Sequence, residues 1–330
     1  MNFIDNFMDK NVMITGGLGF IGSNLAHKLV DLRANVLIID SLIPGHGGNL
    51  FNIESIKNKV RVNLVDIRSS NSMRILIRDQ DFIFNIAGQV DHIDSMKNPL
   101  NDLEINCTSQ LSLLEACRNN NNTKIIFAGT RHIYGKPLFL PIDETHLVRP
   151  VDVNGINKMA GEWYHILYNN VYGIKTCSLR LTNTYGPRQL IKKEATQGVI
   201  PIFIRKIIDN EKIKIFGTGQ QLRDMNYVDD VCDAFLLAAS TDKSNGQIYN
   251  LGHHDPVSLN EFVKILIEVN GHGEYEIVPF PEERERIDVG STYCSYSKIR
   301  NDLGWEPKID LREGLRKTIE FYKKYKEYYW

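Results

Sequence analysis

At 330 residues the chain is long enough for one large or two modest domains. With 42% hydrophobic and 24% charged residues it has the composition of a globular protein with a sizeable core. Its net charge of −1, with both signs spread along the sequence, excludes the basic footprint of a nucleic-acid binder. No uninterrupted apolar stretch approaches the length that spans a bilayer, so no membrane partner is expected. The first ten residues carry Asp5 and Asp9 and lack a basic start followed by an apolar stretch, so no signal peptide is expected. Cys107, Cys117, Cys177, Cys232 and Cys294 are scattered and form no C-x-x-C pair. That usage points to reduced thiols in a cytoplasmic protein, with no metal site.

The apolar run Val12–Thr15 leads into Gly16-Gly17-Leu18-Gly19-Phe20-Ile21-Gly22, which opens a helix-like stretch, Gly19–Leu32. This glycine spacing between strand and helix is the fingerprint of a dinucleotide-binding turn. Gly16 permits the turn, Gly19 lets backbone approach a pyrophosphate, and Gly22 lets the helix pack on the sheet. The pyrophosphate then rests on the open N–H groups of the helix start, beside Phe20 and Ile21. The next run, Val36–Ile39, ends at Asp40, placed to take the ribose hydroxyls or to cap the following turn. No basic residue follows before Lys57 to neutralise a 2′-phosphate, which favours NAD over NADP. After the run Val60–Val65, Asp66-Ile67 can meet an adenine amino group. After Phe82–Ile86, the small residues of Ala87-Gly88-Gln89 let backbone approach the cofactor. Ile125–Ala128 is the fifth run.

Helical patterns at Ser69–Arg78 and Leu100–Arg118 alternate with these runs, and a helix at Asn157–Asn169 and a strand at Lys175–Leu181 follow. The reading is α/β: a Rossmann-type doubly wound parallel sheet, with strands buried on both faces. Residues 1–184, with contributions from about 226–252, form the NAD-binding domain, and 185–330 form mainly a smaller C-terminal α/β substrate lobe. Asn119–Asn122 reads as a surface loop.

Several motifs coincide in one order. They are Gly16–Gly22, Asp66-Ile67, Asn85-Ile86-Ala87-Gly88, Thr130 before Ile133-Tyr134-Gly135, and Leu179-Arg180 to Asn183-Thr184-Tyr185-Gly186-Pro187-Arg188. Phe216–Gly219 with Arg223-Asp224 to Tyr227–Asp230, and Leu303–Pro307, complete the series. This resembles the extended short-chain dehydrogenase/reductase family, in its nucleotide-sugar epimerase and dehydratase group, nearly end to end. Within the group it is most similar to the UDP-glucose 4-epimerase-like branch.

The resemblance implies a catalytic Tyr, three residues, then Lys. The matching segment is Asn154-Gly155-Ile156-Asn157-Lys158. Lys158 is present and would bind the nicotinamide ribose; the tyrosine position holds Asn154. An amide positions a hydroxyl or carbonyl but does not titrate near neutral pH. Tyr164 and Tyr168 lie farther along the same stretch without a lysine at the required offset. Thr130 matches the residue that hydrogen-bonds the reacting sugar oxygen. The acidic pair of the 4,6-dehydratases is replaced by Arg131-His132, which argues against dehydration. His132 either takes over proton transfer or orients Thr130 or a loop carbonyl. Arg131 pairs with a phosphate or with Asp143 or Glu144.

By the same resemblance Asn183 holds the hexose or its phosphate. Arg188, Arg223 and Arg286 are candidates for the substrate diphosphate, since guanidinium makes two charge-assisted bonds to phosphate at once. Gln197–Pro201 and Lys214–Phe216 are the expected nucleobase pocket. The helices near 100–118 and 157–172 are those through which the family dimerises, so a homodimer is expected. The aromatic C-terminus, Tyr322 to Trp330, reads as cover for apolar surface. The leading expectation is NAD-dependent epimerisation of a nucleotide-diphosphate sugar through a keto-sugar. The alternatives are a reductase or epimerase acting on a sugar already oxidised, and a catalytically silent NAD-binding sensor or scaffold.

Overall fold

The computed structural model describes residues 3–44, 46–118, 123–191, 198–285 and 288–330, apart from the side chains of Glu283 and Arg284. The expected Asn119–Asn122 loop, Gln197 and Arg286 lie outside the described residues.

The five apolar runs are strands β1 (Asn11–Thr15), β2 (Asn35–Asp40), β3 (Val60–Leu64), β4 (Phe82–Asn85) and β5 (Lys124–Thr130). β6 (Thr176–Leu181) and β7 (Gln247–Asn250) complete one parallel sheet in the order β7-β6-β5-β4-β1-β2-β3. The chain starts in the middle, winds to one edge, then returns to the other. The reversal of strand order lies between β1 and β4, and their carboxyl ends open the crevice there.

Successive residues of the central strands face opposite layers. Val12, Ile14, Val36 and Ile38 join a core under α1 (Phe20–Asp31). Met13, Leu37 and Ile39 join a second core under α2 (Ser70–Leu76). This period of two, with apolar residues at both phases, produces the unbroken apolar runs. β3 departs from the expected burial. It is an edge strand with Val62 38% and Leu64 58% exposed, because no strand lies beyond it.

A short helix not read in the sequence, α3 (His92–Lys97), follows β4 and is capped by Asp91, whose carboxylate accepts from the Ile93 and Asp94 N–H groups. The expected helix at Leu100–Arg118 is a helical run with a π-turn at Glu104–Thr108, ahead of α4 (Ser109–Cys117). α5 (Val153–Tyr172) begins earlier than Asn157 because Asp152 accepts the Gly155 N–H at 2.7 Å and so starts the helix. Gly173, at φ +70°, ends it.

The second lobe holds α6 (Val199–Ile208), α8 (Leu259–Asn270) and α9 (Leu311–Tyr325). It also holds a parallel strand pair, Ile213–Phe216 with Tyr275–Val278. Between these pieces α7 (Val228–Ala239) packs back against α1, tied by Lys28 to Asp233 at 2.5 Å. Tyr322 and Tyr329 are buried at the end of the chain. Among the described residues no helix is long and apolar enough to cross a membrane.

Candidate active site

A single cleft of ≈ 560 Å³ runs from the glycine turn, past the carboxyl ends of β4 and β5, to Arg223 in the second lobe. At its first end Gly16, Gly19, Phe20, Ile21 and Gly22 line the wall. A Cβ on Gly22 would stand 2.3 Å from the Gly16 carbonyl oxygen, and one on Gly16 would stand 2.9 Å from the Ala87 Cα. Helix and sheet therefore meet at backbone contact. No side chain caps the start of α1, so its N–H groups face the cleft as an anion site.

Asp40 lines the same wall, its carboxylate oriented by the Leu18 N–H at 3.1 Å and the Leu42 N–H at 2.9 Å. Burial raises its pKa against the pull of those N–H groups. Asp66 and Ile67 line the adjoining wall, with Asp66 held below the ordinary carboxylate range by its hydrogen bonds to Arg68. Ala87 and Gly88 also line the cleft. Gly88 sits so close to Lys158 that a Cβ would stand 2.7 Å from Nζ. Gln89 does not line it, contrary to expectation. Its side chain turns into its own loop, donating to the Asp91 carbonyl and to Asp94 and accepting the Asp91 N–H at 2.6 Å.

Lys158 projects from α5 between the two ends of the cleft, donating to the Ala128 carbonyl at 3.2 Å. Burial pushes its ammonium down to about 8, against the pull of Asp102. The dinucleotide fits this donor set: backbone N–H groups for the pyrophosphate, a carboxylate for ribose hydroxyls, and a lysine at the nicotinamide end.

Asn154 also lines the cleft, but its amide is committed. Nδ2 donates to the Gln89 carbonyl at 2.8 Å and to Asp102 Oδ2 at 3.0 Å. Both partners are acceptors, so the NH₂ must face them and Oδ1 is the group left for the cleft. Asn157 donates to the other Asp102 oxygen at 2.8 Å. No tyrosine is among the described residues that line the cleft. Tyr168 donates instead to Glu115, and Tyr164 packs against the second core.

Thr130 Oγ1 accepts the His132 N–H at 3.2 Å, leaving its proton for a ligand. His132 lies in the cleft wall, and burial, with His92, Arg131 and Arg223 nearby, lowers its pKa well below the ordinary histidine value. Its ring lies against His92, with centroids 3.8 Å apart. His92 Nδ1 pairs with Asp152 Oδ2 at 2.8 Å. Burial would raise the Asp152 carboxyl, but its bonds to His92 and to the Gly155 N–H lower it. His92 and Asp152 were missed in the sequence. They come from separate elements, and only the Asp152 helix-start pattern is a local signal.

The far end is cationic. Arg131 donates to Thr292 Oγ1 at 2.6 Å and to Asn183 Oδ1 at 3.4 Å, and pairs with neither Asp143 nor Glu144. Asp143 holds Thr145, and Glu144 accepts the Asn250 N–H. Arg223 donates to the Leu222 and Gly290 carbonyls. Burial, then the neighbouring Arg131, lower it to about 10. Asp288 and Asp224 lie close enough to Arg223 to offset part of the charge, while the hydrogen bonds of both guanidiniums go to neutral oxygens, a setting that suits an anion. Asn183 lines the cleft and donates to the Asp224 carbonyl at 3.0 Å. Arg188, expected here, is not among the lining residues. It reaches back to Asn24 Oδ1 of α1 at 2.7 Å and lies over Phe321. Of the expected nucleobase pocket, Gly198–Pro201 and Phe216 line the cleft, whereas Lys214 lies against Glu276.

A doubly wound parallel sheet whose glycine turn opens into one cleft is the architecture of the α/β dinucleotide-binding proteins. Residues 12–252 match the model of the NAD dependent epimerase/dehydratase family, and the chain belongs to that family. A Methanocaldococcus jannaschii protein, provisionally named a UDP-glucose 4-epimerase, is 36% identical over 316 residues, covering 94% of this chain and 98% of the relative. The structure of Thermotoga maritima UDP-glucose 4-epimerase with UDP-glucose matches with a TM-score of 0.86 at 31% identity, covering 96% of this chain and 99% of that one. Thermus thermophilus UDP-glucose 4-epimerase in complex with NAD matches at 0.84 and 30% identity, covering 95% and 99%. The family acts on nucleotide sugars, and NAD is its cofactor.

Proposed function

We propose that the protein inverts one carbon of a nucleoside-diphosphate sugar through a transient keto-sugar. The observation that carries this reading is the single cleft joining the glycine turn to Arg131 and Arg223, with Thr130 and Lys158 between them. NAD, when bound, supplies acceptance and return of the hydride. Arg131, Arg223 and Asn183 hold the diphosphate and hexose. The Thr130 hydroxyl, which accepts the His132 N–H, keeps its own hydrogen to donate to the reacting sugar oxygen. Lys158 holds the nicotinamide ribose, and its buried ammonium favours negative charge developing on that oxygen. Asn154 stands where the family's catalytic phenol is expected and offers only an acceptor oxygen. A second reading rests on that substitution: reduction or epimerisation of a sugar that already carries a keto group needs no hydroxyl-deprotonating phenol.

The expected assembly is a homodimer. It is favoured by exposed Ile156, Trp163, Leu167 and Val171 on α5 and by Leu100 and Leu103 on the neighbouring helical run. The expected compartment is the cytoplasm.

The test is incubation with a nucleotide-sugar panel in deuterated water, followed by proton NMR. Inversion of one carbon without solvent deuterium supports the proposal. Deuterium beside a carbonyl, or a steady requirement for added NADH, supports the second reading. NAD binding without affinity for any nucleotide sugar makes the protein a sensor and contradicts both.

A further inference from the structure

We infer that His92, oriented by Asp152, is the base that takes the proton of the reacting sugar hydroxyl and returns it. This rests on the nucleotide-sugar reading above. His92 opens α3 just beyond the carboxyl end of β4, and it lines the cleft together with Thr130, His132, Asn154 and Lys158. Its side chain is 25% exposed, open enough to meet a ligand.

The pairing fixes the chemistry of the ring. Asp152 Oδ1 accepts the Gly155 N–H at 2.7 Å, so the carboxylate cannot turn away from the helix start. Its other oxygen, Oδ2, stands 2.8 Å from His92 Nδ1. A carboxylate accepts only, so Nδ1 carries the hydrogen and Nε2 keeps its lone pair. The buried anion also stabilises the imidazolium formed when Nε2 is protonated. His132 lies against one face of the ring at 3.8 Å and limits its rotation. Burial, and then the neighbouring His92, Arg131 and Arg223, lower the His132 pKa well below the ordinary histidine value, so His132 does not hold the proton. Asp91 and Asp94, the acidic neighbours on the same segment, are turned to the N-terminal N–H groups of α3 and to Gln89.

The balance closes within the site. The sugar O–H bond breaks and an N–H bond forms at Nε2, while the C–H electron pair leaves as the hydride that NAD accepts. On return of the hydride, the Nε2–H bond breaks and the hydroxyl is restored, with no net proton exchanged. His92, His132 and Asp152 also bring their ligand atoms within 4.8 Å of one another. A tetrahedral ion would hold its ligand atoms about 3.3 Å apart, and the shorter His92–Asp152 contact is a hydrogen bond instead.

The test compares the NAD-loaded wild type with His92→Gln and Asp152→Asn, using whichever nucleotide sugar the wild type inverts. Asn at 152 keeps the cap oxygen for Gly155 but turns an NH₂ toward Nδ1, forcing the other tautomer. His92→Gln should lower kcat about 10²–10⁴-fold with KM and NAD content within about threefold of wild type. Asp152→Asn should lower kcat similarly, and ¹⁵N NMR should show the His92 hydrogen moving from Nδ1 to Nε2. The inference is overturned by His92→Gln with unchanged kcat, or by an Nε2–H tautomer in the wild type. It is also overturned if a chelator abolishes activity and Zn²⁺ restores it. A wild type that loads NAD yet inverts no sugar overturns the nucleotide-sugar reading itself. That outcome is separable, because NAD content and the His92 tautomer are read without turnover.

Discussion

Asn154→Ala tests whether this residue is an anchor for a buried carboxylate rather than an acid or base. The substitution removes the donor to Asp102 Oδ2 at 3.0 Å and one donor to the Gln89 carbonyl. Asp102 is 1% exposed and keeps only the Asn157 amide at 2.8 Å. A lost bond to a buried charge costs about 1.5–3 kcal/mol. The Gln89 carbonyl keeps the Asn106 amide at 3.0 Å, so its loss adds about 1 kcal/mol at most. The sum is about 2–4 kcal/mol. Unfolding entropy of about 2.1 cal/mol/K per residue gives about 0.7 kcal/mol/K for this chain, and so a Tm lower by about 3–6 °C. Thermal unfolding followed by circular dichroism reads the shift. A cycle with Asp102→Asn should show coupling of at least about 1 kcal/mol. Turnover should stay within about tenfold of wild type, the worth of one neutral hydrogen bond. An unchanged Tm with additive single effects would refute the anchoring role, and a thousandfold loss of kcat would refute the separation of anchor from base.

Gly22→Ala places a Cβ 2.3 Å from the Gly16 carbonyl oxygen, so backbone must move at the pyrophosphate site; NAD should be lost on purification, as read by absorbance of the extracted cofactor. Arg223→Ala should weaken nucleoside-diphosphate binding by about 10–100-fold in calorimetry while NAD affinity is unchanged. Lys158 is held near 8 by burial, whereas its ordinary value is 10.5. The unfolded chain therefore binds more protons between pH 8 and 10.5, and stability rises with pH across that window. In NAD-free protein Lys158→Met should abolish this rise and add about 3 kcal/mol at pH 7 while ending turnover; a less stable variant at pH 7 contradicts the burial argument. Glu162→Gln leaves the buried Arg180 guanidinium without its carboxylate, now at 2.6 Å, and should cost about 3–5 kcal/mol in thermal unfolding.

The Rossmann-type sheet and its glycine turn were legible because their information is local. Glycine spacing, the apolar runs and Asp40 all lie within one βαβ stretch, and close backbone contacts at Gly16 and Gly22 shape the turn. β3 misled because a run such as Val60–Val65 looks alike whether a strand is central or at an edge, and only the strand order decides. The start of α5 was misread because the capping role of Asp152 went unread. Arg188 was misassigned because guanidinium is equally suited to a phosphate and to Asn24. Gln89 was misassigned because a loop residue can turn toward its own backbone. The His92–Asp152 pair had no local signature, since two distant segments must fold together before the carboxylate meets the imidazole. His132, two residues after Thr130, was read as either a proton carrier or an orienting residue, and the role proposed for His92 rests on a partner that the sequence does not place beside it.

The most direct measurement is a crystal structure of the chain with NAD and a nucleotide sugar it turns over. The account predicts the pyrophosphate on the start of α1, the sugar diphosphate between Arg131 and Arg223, and one ring hydroxyl shared by Thr130 Oγ1 and His92 Nε2. A sugar bound with that hydroxyl facing solvent, or against a tyrosine brought in from elsewhere, would contradict it.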